Sequence, residues 1–84
     1  MLYEIENLHS AREFLSSLSG TVTLRNPRGS TRYYGMRVVD HMFKTLRAEF
    51  PRKISNIVVD VYDDYSAFVT ARSLGYTDIM YSNT

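Results

Sequence analysis

The sequence predicts an α/β domain built on a small parallel sheet. Two observations carry this. Short β-branched segments alternate along the chain with stretches of helical periodicity, and such alternation implies βαβ units. The most apolar segment, residues 56–61, is apolar at consecutive positions, which suggests a central parallel strand buried on both faces. The expected order is αβαβαβ: three strands, with 56–61 in the middle, and three helices.

The first helix is expected from Ser10-Ala11-Arg12-Glu13, which has the form of a capping box. Phe14, Leu15 and Leu18 supply its apolar stripe, and Gly20 its stop. Thr21 to Arg25 then alternates polar and apolar, with Val22 and Leu24 on one face, as a strand does. Asn26-Pro27-Arg28-Gly29-Ser30 is turn chemistry. In the second helix Met36, Val39, Phe43, Leu46 and Phe50 recur at helical spacing, with Arg37, Asp40, His41, Lys44 and Arg47 on the remaining surface. Pro51 ends it, because proline disfavours the α conformation in the residue before it.

Asn56-Ile57-Val58-Val59-Asp60-Val61 is the middle strand. Asp63 or Asp64 is placed to cap the third helix, Tyr65 to Leu74, with Phe68, Ala71 and Leu74 inward. Leu74-Gly75 ends it, and Asp78 to Tyr81 is a short last strand. Leu2, Tyr3 and Ile5 offer a further edge strand. With right-handed crossovers the second and third helices share one face. The first helix must then cover the other face, or that face needs a partner.

The 84 residues make a single domain. A chain this short buries only about 60–65% of the surface its unfolded form exposes, so its core is thin. There is no cysteine, which excludes disulfides, thiolate metal sites and cysteine nucleophiles. Residues 1–7 carry Glu4 and Glu6 and lack a signal-peptide pattern. No run approaches the roughly 20 apolar residues of a membrane span. A cytoplasmic protein without a membrane partner is expected.

The net charge of +1 hides an uneven distribution. Residues 25–53 hold eight Lys or Arg against Asp40 and Glu49, whereas both flanking segments are acidic. A basic middle can bind a polyanion, or pair with its own acidic ends on folding.

Leu18-Ser19-Gly20-Thr21-Val22-Thr23-Leu24, then Val58-Val59-Asp60, then the small-residue helix ending at Gly75, resemble a group of small uncharacterised α/β proteins of alphaproteobacterial type. The group carries a glycine-rich loop after the middle strand; here that loop is Val61-Tyr62-Asp63-Asp64. The resemblance implies the fold and no activity.

Ligands of open parallel sheets bind beyond the carboxyl ends of the strands. Two loops are expected there. In the first, residues 25–32, Arg28, Ser30 and Arg32 are the candidate anion-binding residues, at the start of a helix and beside Tyr33 and Tyr34. The alternative is a solvated turn in which Ser30 or Thr31 caps the helix. Neither GxxxxGK[ST] nor GxGxxG is present, so no nucleotide cofactor is implied. In the second loop Asp60, Asp63 and Asp64 are the acidic candidates. They could hold Mg²⁺ or act as acid and base, or Asp63 or Asp64 could cap and Asp60 pair with an arginine of the first loop. His9 and His41 are isolated, and no metal site is assigned.

The leading functional expectation is a small non-enzymatic regulatory or protein-interaction module, a homodimer or bound to another protein. The alternative is a phosphate- or nucleic-acid-binding module using loop 25–32, and the third is an aspartate-based enzyme.

Overall fold

The computed structural model describes residues 1–82 and contains four parallel strands and four helices. In chain order they are β1 (Leu2–Glu4), α1 (Leu8–Ser17), β2 (Val22–Arg25), α2 (Ser30–Tyr34), α3 (Met36–Glu49), β3 (Ile54–Tyr62), α4 (Tyr65–Ser73) and β4 (Ile79–Tyr81). The strands lie side by side in sequence order, β1-β2-β3-β4, and every pair is parallel.

The expected count of three strands and three helices is corrected at two places. The first is β1. Ile5 is almost wholly buried, and the backbone beside it pairs with β2, Ile5 N–H donating to Arg25 O at 2.8 Å and Thr23 N–H to Met1 O at 3.0 Å. The Tyr3 ring stacks on Phe14 at 4.2 Å and fixes the strand to α1. The second is Gly35. At φ 86°, ψ 148° it occupies a region essentially restricted to glycine, and it splits one amphipathic stretch into α2 and α3. The middle strand is also longer than 56–61, running from Ile54 to Tyr62.

Local chemistry explains the ends. Asn7, not Ser10, caps α1, its Oδ1 accepting from Ser10 N–H at 2.8 Å, so His9 lies in the first turn, exposed and 3.4 Å from Glu13. Asp64 caps α4 through Ala67 N–H at 3.1 Å. A register shift between Val22 and Thr23 skips Ser55, so Ile54 and Ile57 both face inward although three residues apart.

The core fills one side of the sheet. Ile5, Val22, Leu24, Ile57, Val59 and Val61 meet Ala11, Leu15, Val39, Phe43, Leu46, Ala67 and Ala71 from the helices. Helix α3 lies in the middle of the layer, against α1, α2 and α4. Sequential strand order with one handedness of crossover puts every helix on the same face. The middle strand is therefore covered by helices on one face only: Val59 is inaccessible, while its neighbour Val58, on the other face, is half-buried. No helix among the described residues is long and apolar enough to cross a membrane.

Candidate functional site

The carboxyl ends of β2 and β3 are tied together by Asn26, which is fully buried. Its Oδ1 accepts from Asp60 N–H at 2.7 Å, and its Nδ2 donates to Asp60 O and to Ser30 Oγ, each at 2.8 Å. The side-chain amide thus pairs with β3 as another peptide group would. This leaves the loop after it free of the ladder, and Gly29, at φ 86°, turns the chain into α2.

This arrangement decides where the candidate residues point. Ser30 is buried, with its hydroxyl against Asn26. The Arg28 guanidinium lies over the Tyr62 ring, 4.6 Å from its centroid. Arg32 binds Asp63 at 2.9 Å, and this hydrogen bond, followed by the carboxylate's charge, raises its pKa above the ordinary value. The three side chains have three separate partners and do not converge on one point.

The aspartates are likewise dispersed. Asp60 is buried and accepts from Tyr62 N–H at 3.0 Å, bracing a residue at the left-handed φ of 51°. Asp63 is exposed in its pair with Arg32. Asp64 caps α4 and accepts from Thr31 Oγ1 at 3.3 Å. The two loops are linked through Arg32–Asp63, through Thr31–Asp64 and through Asn26 to the Asp60 backbone, while the Asp60 carboxylate accepts from Tyr62 N–H. Among the described residues no group of three or more His, Asp or Glu is arranged to hold a metal ion.

Two surfaces stand out. One is the rim, where Tyr33, Tyr34, Tyr62 and Tyr65 are all exposed, Tyr33 to 89%. The other is the face of the sheet opposite the helices, which the residue patterns did not single out. Along β1 and β2 it presents Leu2 beside Thr23 and Glu4 beside Arg25. Along β3 and β4 it presents Asn56, Val58, Asp78 and Met80. Glu4 and Arg25 form a cross-strand ion pair at 2.8 Å, and Asn56 donates to Asp78 at 2.9 Å. Arg25 Nε is buried without a hydrogen-bond partner. The signal in the sequence was the polar alternation of Thr23 and Arg25, which marks an outward face on β2.

The basic middle of the chain is partly neutralised by the acidic flanks through Arg25–Glu4 and Arg32–Asp63, whereas in Arg12–Glu49, at 2.8 Å, the flank supplies the base and the middle the acid. The hydrogen bond to Arg12 holds Glu49 below the usual carboxylate value.

Over 80 residues the chain is 49% identical to the uncharacterised protein RP547 of Rickettsia prowazekii (strain Madrid E), a match covering 95% of this chain and 76% of the relative. No family model matches, and no solved structure matches.

Proposed function

The chain belongs to the same family as that uncharacterised rickettsial protein, and from its geometry we propose that it is a non-enzymatic protein-interaction module whose contact surface is the bare face of its sheet. The carrying observation is the single helical layer. All-parallel sheets are found almost only with both faces covered. Here Leu2 and Met80 stand 49% and 40% exposed on the uncovered side. The tyrosine rim adjoins that face and adds a residue type enriched at interfaces.

A polyanion is a poorer occupant. Of the arginines near the carboxyl end, Arg25 and Arg32 are already paired, leaving Arg28 on Tyr62. Glu4, Glu6, Asp60, Asp63 and Asp64 surround them. Nucleic-acid affinity grows with the number of phosphates neutralised, and once these ion pairs are set aside Arg28 is left among Glu6, Asp60 and Asp64, which offers little. An aspartate-based reaction finds its three carboxylates separately engaged, with no nucleophile between them.

The absence of cysteine makes the test direct. A photo-crosslinker attached through Val58→Cys should capture a discrete protein from native extract, while the same group at His41→Cys, on the exposed side of α3, should not. Equal capture from both positions, or none from position 58, overturns the reading.

A further inference from the structure

We propose that the occupant of the bare face is a basic amphipathic helix of a partner protein. This rests on the interaction-module reading and names the chemistry of the partner.

Area is the first argument. Four strands at about 4.8 Å spacing, sharing three or four residues at about 3.3 Å rise, present roughly 200–250 Å². A stable interface between two globular proteins takes about 800 Å² from each side. A second copy packed face to face on so small a patch falls well short. One helix, about 10 Å across with its side chains, covers it. Helices are also what cover the faces of parallel sheets within single chains.

Charge is the second argument. Outward from the strands, this face and its upper end expose Glu4, Glu6 and Asp78 against Arg25 and Arg28, the latter lying over Tyr62, while Asp60 is buried. Arg25 is spent on Glu4. Glu6 is exposed and has no ion pair among the described residues, and Asp78 is held only through the neutral Asn56. Lysines or arginines flanking an apolar stripe would meet these two carboxylates. Leu2, Val58 and Met80 would meet the stripe itself. A helix with an acidic flank would place like charges together, so the face discriminates by sign.

Synthetic peptides provide the test. One is an amphipathic helix of leucine and lysine with a single tryptophan; its counterpart replaces lysine by glutamate. The chain contains no tryptophan, so the emission reports the peptide alone. The lysine peptide should bind saturably with a blue-shifted emission, at least about tenfold more tightly than the glutamate peptide. Glu6→Lys with Asp78→Lys, both exposed positions, should remove that preference, and Val58→Asp should abolish binding. Circular dichroism checks that each variant is folded. Equal binding of the two peptides, no binding of either, or an unchanged preference in the charge-reversed variant overturns the proposal. Sedimentation of the chain alone covers the other occupant: a dimer dissolved by Val58→Asp would place a second copy on the face and also overturn it. Capture from position 58 alongside failure of the peptides would sink the helix and leave the interaction module standing. Failure of both would sink both.

Discussion

Asn26 is the residue on which the carboxyl end of the sheet depends. Its amide satisfies both the N–H and the C=O of Asp60 in a site closed to water. Truncation would leave both unpaired, and each buried orphan costs about 1–3 kcal/mol. Asn26→Ala should therefore destabilise the fold by about 2–4 kcal/mol, seen in urea unfolding; a loss within experimental error would show that this junction is not holding the strands together. The arginines of the same loop behave differently. Arg28 and Arg32 are exposed, and each has one partner. Replacing both by alanine should leave the melting temperature nearly unchanged, because exposed charge pairs contribute little. A large drop would mean that the Arg32–Asp63 contact carries the two loops. The residue types of this loop announced a turn with arginines. They did not announce that Ser30 would face inward, since that follows from Asn26 reaching across to β3, a contact 34 residues away in sequence.

At the scale of the element, Gly35 and Tyr76 fix the helical layer. A Cβ at Gly35 would meet nothing within 4 Å, so Gly35→Ala tests backbone conformation alone. At φ 86°, ψ 148° it should cost about 1–3 kcal/mol of stability, measured by denaturant unfolding. No cost would mean that the break between α2 and α3 can be made in another conformation. Tyr76, in the turn before β4, donates its hydroxyl to Asp40 of α3 at 2.7 Å, and Lys44 holds the same carboxylate at 3.1 Å. Burial first, then the bond to Asp40, raises the Tyr76 pKa above the ordinary value of 10.0. In the unfolded chain the phenol ionises first. The contribution is thus complete below about pH 10 and is lost as pH climbs toward the folded value. Tyr76→Phe should lower stability at neutral pH and reduce the further loss on moving above pH 10; an identical alkaline loss in wild type and variant would exclude Tyr76 as its source. Periodicity revealed β2, α3, β3 and α4 because each has an apolar pattern of its own. It missed the α2–α3 break because a glycine inside a polar stretch does not declare its φ, and it left β1 a bare option because three residues carry too little pattern.

On the scale of the molecule, the structure has a helix side and a sheet side of opposite character. Right-handed crossovers and a middle strand were both inferred from pattern, but the inference that the middle strand is buried on both faces went too far. Val58 looks like Val59 in the sequence; only the stepwise strand order shows that no helix is left to cover it. Stability should follow the layering. Amides of Val22, Leu24, Ile57 and Val59, in the two inner strands, should exchange most slowly with deuterium, while outward amides of β1 and β4 should exchange readily. Uniform protection across all four strands would mean that the edges are covered in solution.

The order β1-β2-β3-β4 bears on how the chain is made as well as on what it exposes. Each strand pairs with the strand synthesised just before it, so no later segment has to be threaded between two that are already joined. A ribosome releasing this chain from its amino end would lay the sheet down at one growing edge, one strand and its covering helix at a time.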